Sequence, residues 1–117
     1  MSKLTIDAYS RQAITTLLGD HGLGSELTPT LLSQVFGLVG ESGEVAEKFK
    51  KCIRDNRGEL SEEDKAAIIK ELGDILWYIN SVAQLMGSSL EEVAQQNLTK
   101  VLSRKDRSAI SGSGDDR

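Results

Sequence analysis

Apolar residues recur along the chain at three- and four-residue intervals, without sustained strict alternation, which predicts helices and no sheet. Ile6, Tyr9, Ala13, Ile14, Leu17 and Leu18 keep this spacing behind Thr5, a capping residue, so a first helix is expected over roughly 6–18. Gly19, Gly22 and Gly24 break the pattern and form a loop in which the lone His21 reads as a solvated side chain. Thr28 before Pro29 opens a second helix that should run to about Ile53. Val35, Leu38, Val39, Val45, Ala46, Phe49 and Ile53 share one broad face of it, and Glu41, Glu44, Glu47, Lys48 and Lys51 take the other. Gly37, Gly40 and Gly43 each cost such a helix about 1 kcal/mol relative to alanine. Gly37 and Gly40 project toward the acidic side, where a missing side chain leaves room for a neighbouring helix or a ligand.

Residues 54–60 read as a polar connection with a turn at Asn56–Gly58, after which Ser61 caps an acidic first turn. The third helix should extend from Glu62 to Met86 and stop at Gly87. Its wide apolar face runs from Ile68 through Leu72, Ile75 and Ile79 to Met86, while Glu71, Asp74 and Tyr78 share a narrower flank beside Trp77. Ser89–Glu92 is a capping box for a fourth helix, on which Asn97, Lys100 and Arg104 repeat at i, i+3 and i+7. Residues 108–117 are rich in Ser, Gly and Asp and have little to bury, so they read as a flexible tail. The expectation is one all-α domain over 1–107, a four- to five-helix bundle.

Composition adjusts this picture in three ways. An apolar fraction of 38% with 4% aromatics is lean for a monomer of 117 residues and makes burial between subunits plausible. Fourteen basic against eighteen acidic residues leave a net charge of -4, which argues against a generally basic nucleic-acid-binding surface. The single Cys52 forms no intrachain disulfide and reads as a buried or idle thiol. The N-terminus, MSKLTIDAYSRQ, lacks the apolar run of a signal peptide, and no apolar stretch is long enough to span a bilayer. A soluble cytoplasmic protein, with neither membrane nor nucleic acid as partner, is the expectation.

Chemistry concentrates in two short clusters, Glu41-Ser42-Gly43-Glu44 and Glu71-Leu72-Gly73-Asp74. In each, two acids spaced i, i+3 lie on one side of a helix. Set opposite each other, the helices would gather four carboxylates around one point, and such a cluster calls for a cation. Taken singly, an acidic pair is most often only a solvated surface; two pairs, each around a glycine in an apolar helix, carry more weight. Neither cluster supplies the Glu-x-x-His of a di-iron bundle, and no Cys/His set exists for zinc. Carboxylates alone favour Mg²⁺, with Mn²⁺ able to substitute, and Mg²⁺ also binds substrate phosphates. Lys48, Lys51, Lys100 and Arg104 are then candidate phosphate partners, or ordinary surface charge. Trp77 and Tyr78 offer rings for a base to stack on, or for core packing.

The two acidic elements, with Gly40–Glu47, Glu71–Tyr78, Asn97–Lys100, Ser103-Arg104 and the ending Gly112–Arg117, resemble the MazG-like all-α nucleoside triphosphate pyrophosphohydrolases, in the short single-domain form. The resemblance covers roughly residues 30–117. It implies hydrolysis of a nucleoside triphosphate between the α and β phosphates, giving monophosphate and pyrophosphate, as nucleotide-pool housecleaning. It also implies Glu41, Glu44, Glu71 and Asp74 as Mg²⁺ ligands, Glu41 or Glu44 as the group that handles the attacking water, and Glu47 as an added ligand or a support behind them. Asn97, Lys100 and Arg104 would contact substrate, the tail could close as a lid, and the assembly would be a homodimer or a dimer of dimers. The family pattern often begins with paired glutamates; here Gly40 precedes Glu41, so one potential ligand is absent. The competing readings are a non-catalytic helical dimer that senses nucleotide or binds a protein, and a simple metal-binding bundle.

Overall fold

The computed structural model describes residues 3–21, 26–108 and 111–115. These form α1 (Ile6–Ala13), a 3₁₀ turn (Ile14–Thr16), α2 (Pro29–Asn56), α3 (Glu62–Leu85) and α4 (Leu90–Asp106), with no strand among the described residues. The chain is the all-α bundle its periodicity predicts, and no described helix is long and apolar enough to cross a membrane.

Hydroxyl caps set the helix starts. The side-chain oxygens of Thr5, Thr28, Ser61 and Ser89 accept from the backbone N–H of Ala8, Leu31, Asp64 and Glu92 at 3.0 to 3.1 Å. At α3 the box is closed, because the Asp64 carboxylate accepts from Ser61 N–H at 3.0 Å. At α4 only the forward half of the expected box forms: the Glu92 carboxylate accepts instead from Ser88 Oγ at 2.7 Å.

The ends depart further from expectation. The first helix stops at Ala13 and not at Leu18, tightening to a 3₁₀ turn over Ile14–Thr16. Thr15 and Thr16 donate their hydroxyls back to the carbonyls of Gln12 and Ala13, and this β-branched run favours leaving the helix. His21 is exposed, its Nε2 at 2.8 Å from Leu17 O; Gly22 and Gly24 lie outside the described residues. The second helix passes Ile53 and closes after Asn56, where Arg57 takes the left-handed conformation (φ 55°) and Gly58 N–H reaches Cys52 O.

Helices α2 and α3 run antiparallel as a hairpin. Gln34 meets Ser81, Gly37 meets Tyr78, and Lys48 meets Glu71, one register along the whole length. The best-buried point of the fold is polar and lies where α1 crosses α3 and α4. Ser10 Oγ donates to Asn80 Oδ1 and accepts from Gln84 Nε2 and from Leu90 N–H, which uses all its capacity. Asn80 and Gln84 also donate to the Ser10 carbonyl, at 3.0 and 2.8 Å. Among the described residues the buried apolar set is small: Leu17, Ala83, Leu85 and Leu90, with Cys52 and Ile68 nearer the α2–α3 turn.

Much of the apolar pattern remains uncovered. The surface is 8690 Å², against about 6,200 Å² expected of a compact monomer of this mass. The broad face of α2 divides: Leu38 and Val45 turn toward α3, while Leu32, Val39, Ala46 and Ile53, spaced by sevens, stay open beside Phe36 and Phe49. On α3, Ile69, Leu72 and Leu76 are likewise exposed.

Gly37 now has its explanation, since a Cβ there would fall inside the ring of Tyr78, whereas a Cβ at Gly40 would meet nothing. Gly37→Ala is expected to lower stability by about 1–3 kcal/mol, because the clash is with a packed ring and outweighs the helix-propensity gain. Gly40→Ala should raise it by up to about 1 kcal/mol. Urea midpoints of the two variants check the pair; equal and positive shifts would mean that the ring does not sit against α2.

Candidate functional site

The hairpin register decides what the acids do. Glu41 stands on the side of α2 that faces α3, opposite the turn of α3 that carries Glu71 and Asp74. One carboxylate oxygen from each of Glu41, Glu71 and Asp74 lies within 4.8 Å of the other two. Glu44, a turn further along α2, is exposed and outside this trio, though near enough for its charge to act on Glu41. Three of the four expected carboxylates therefore converge, and the fourth stands at the rim.

Electrostatically the trio is unfavourable by itself. The Glu41 carboxyl is held above its ordinary range, first by a hydrogen bond shared with Glu71, then by partial desolvation, then by the charges of Asp74, Glu71 and Glu44. Among the described residues Lys48 is the one basic side chain in contact with the cluster, its Nζ 3.9 Å from Glu71, and both side chains are open enough to solvent for the pair to be worth little. The arrangement fits a small divalent cation. Hard oxygen donors alone surround the point, and their mutual repulsion is what a cation would relieve.

A pH dependence follows with a definite sign. An acid whose folded-state pKa is raised binds its proton more tightly when folded, so stability is greatest at low pH and falls as pH rises from the ordinary 4.5 through the raised value. With metal chelated, the melting temperature is expected to decline over that interval, and Glu41→Gln should flatten the decline. A profile unchanged by the substitution would show that Glu41 and Glu71 are not coupled.

The other expected residues are distributed around this centre. Glu47 is outside the trio and pairs weakly with Lys50 at 4.0 Å. Lys51 and Lys48 line a depression of about 270 Å³ beside Asp55 and Asp64, near the α2–α3 turn. Trp77 donates its indole N–H to Thr16 Oγ1 at 2.8 Å and meets the Tyr78 ring edge-on, centroids 5.0 Å apart. Both rings thus have packing partners, and Tyr78 also fills the space left by Gly37. Asn97 lines an apolar cavity of about 430 Å³ between α1, α3 and α4, together with Tyr9, Leu76 and Ile79. Lys100 Nζ lies 2.7 Å from Asp115, and Arg104, nearly buried, holds the same residue. Cys52 is buried and donates its thiol to the Glu59 carbonyl.

Tyr9 is the residue sequence reasoning passed over. Burial raises its phenol pKa, as does the charge of Asp74, so this α1 ring stands within electrostatic reach of the acidic trio while lining the cavity. Its only sequence signal was a place in the apolar repeat of α1, which looks the same for a core tyrosine.

Comparison with known proteins agrees with the geometry. The chain is 48% identical over 112 residues to the Gene 37 protein of Mycobacterium phage L5, covering 96% of this chain and 98% of that one. No solved structure matches it. The model of the MazG nucleotide pyrophosphohydrolase domain matches residues 29–108, which take in the acidic hairpin and all of α4. A helical hairpin with carboxylates converging across it, under a match that spans most of its length, makes this chain a member of the MazG nucleotide pyrophosphohydrolase domain family.

Proposed function

We propose that the protein is a Mg²⁺-dependent nucleoside triphosphate pyrophosphohydrolase, with Mn²⁺ as an acceptable substitute, releasing pyrophosphate and a nucleoside monophosphate. One observation carries this reading: carboxylates from two helices converge to within 4.8 Å across the α2–α3 hairpin of a chain in this family. Glu41, Glu71 and Asp74 would hold the ion. When bound, a divalent ion supplies charge for the phosphate oxygens and acidifies a water.

The chain's own groups account for the rest. Glu44 takes the role of orienting the water and accepting its proton; its exposure beside the trio, with Glu41 hydrogen-bonded to Glu71, supports that reading. Glu47 supports the α2 side from outside the trio. Lys48 reaches Glu71 and can turn to a phosphate oxygen; Lys51, Lys100 and Arg104 add positive charge further out. The apolar cavity where Asn97 meets Tyr9 suits a nucleobase, with amide and phenol as its polar handles. Trp77 and Tyr78 form the wall beside the acids. The open faces of α2 and α3 are read as the contact with a second copy, in a homodimer or a dimer of dimers. The role this fits is removal of surplus or noncanonical triphosphates in the cytoplasm.

The test is a panel of common and damaged ribo- and deoxyribonucleoside triphosphates, assayed for pyrophosphate and monophosphate with Mg²⁺ or Mn²⁺ present. Release that stops on chelation is expected. Tight nucleotide binding with no pyrophosphate would select a non-catalytic sensor, and Mg²⁺ affinity unaffected by nucleotide would select a metal-binding bundle.

A further inference from the structure

Lys100 and Arg104 sit one turn apart on α4, on the same side as Asn97. Their counter-ion comes from the chain itself. Asp115 Oδ1 lies 2.7 Å from Lys100 Nζ and 3.5 Å from Arg104 Nη2. Arg104 Nη2 also donates to the carbonyls of Gly114 and Asp115. Held this way, the Asp115 carboxyl is drawn below its usual range, chiefly by its hydrogen bond to Lys100.

The match is incomplete on the arginine side. The Arg104 side chain is only 10% exposed, against 75% for Asp115. Arg104 Nε is buried and has no hydrogen-bond partner among the described residues. A guanidinium presents Nε and Nη in a fork that two oxygens of one anion satisfy together; among the described residues the tail engages only the Nη2 arm. A buried donor left unpaired is costly. A tetrahedral phosphate, with several equivalent oxygens, would meet both arms and Lys100 at once.

With Lys100 and Arg104 taken as phosphate partners, we propose that Asp115 is an intramolecular competitor for them, occupying their site until a polyphosphate displaces it. The proposal rests on the reading of the chain as an enzyme of nucleotide polyphosphates. It adds an autoinhibitory contact to that reading: the tail holds the cations against weak anions and yields to a ligand that uses the full fork.

Isothermal titration of the full chain with inorganic pyrophosphate, in chelator so that no metal contributes, tests it without turnover. Asp115→Asn is expected to tighten pyrophosphate about five-fold, the scale of one partly exposed ion pair. Asp115 is exposed, so its substitution leaves the fold intact. In a Lys100→Gln background the gain from Asp115→Asn should shrink, since the competitor has lost its main partner. Pyrophosphate added to the wild type should move the ¹⁵N–¹H signals of Gly112 and Gly114 toward their positions in Asp115→Asn. Unchanged or weaker binding by Asp115→Asn overturns the proposal, as does absence of pyrophosphate binding by both proteins. A chain that hydrolyses no triphosphate yet shows the five-fold shift would sink the enzymatic reading and leave the competitor standing.

Discussion

Asp74→Asn is expected to reduce metal-dependent release of pyrophosphate by about 10³-fold, the scale seen when one essential charge at a phosphate-transfer centre is removed. Asp74 is the decisive choice because it is exposed, so the fold does not depend on it, whereas Glu41 and Glu71 are half-buried and bonded to each other. Circular dichroism should be unchanged. The metal-free variant should even melt a few degrees higher, since one of three mutually repelling charges is gone. Wild type should gain melting temperature on adding Mg²⁺ or Mn²⁺, and the variant should lose most of that gain. Retained activity with an unchanged metal response would remove Asp74 from the centre; loss of helicity would make the acids structural.

Val39→Glu is expected to weaken self-association at least 100-fold, by burying a charge in an apolar contact. Leu32, Val39, Ala46 and Ile53 repeat every seven residues along α2, the spacing that lets one helix lie along another. Val39 is 66% exposed in the single chain, so the substitution costs an isolated chain almost nothing. Wild type should sediment at twice the chain mass of 12.7 kDa or a multiple of it, and the variant at the single-chain mass. A wild type that sediments as one chain would show that this seam is not an interface.

The helices and their starts were legible in the sequence because capping is a local matter: Thr5, Thr28, Ser61 and Ser89 need only the three residues that follow them. The pairing of Glu41 with Glu71 was legible for a related reason, as i, i+3 spacing fixes a side of each helix and a short turn forces the two helices together. What spacing does not encode is which neighbour that side meets. Periodicity put Val39 and Leu38 on one apolar face, but only packing shows that α3 covers one and not the other. Ser10 was invisible for a different reason. A serine among apolar residues reads as a gap in a helix stripe, and its value comes from Asn80 and Gln84, about seventy residues away. Apolar spacing overextends the first helix because it carries no trace of the threonine hydroxyls that end it. Asp115 on Lys100 is a contact between a tail and a helix, and no periodic pattern announces it.

The short turn between α2 and α3 has a consequence for the order of assembly. Contacts across such a hairpin close over little intervening chain, so their loop-closure cost is small and they are expected to form ahead of the docking of α1 through Ser10. The point where Glu41, Glu71 and Asp74 converge belongs wholly to that hairpin. If these carboxylates hold a divalent ion as proposed, that ion is expected to accelerate the productive refolding phase as well as stabilise its product, and so to take part in the chain's maturation. Stopped-flow refolding with and without Mg²⁺ would show a rate difference if the hairpin closes first, and none if it closes last.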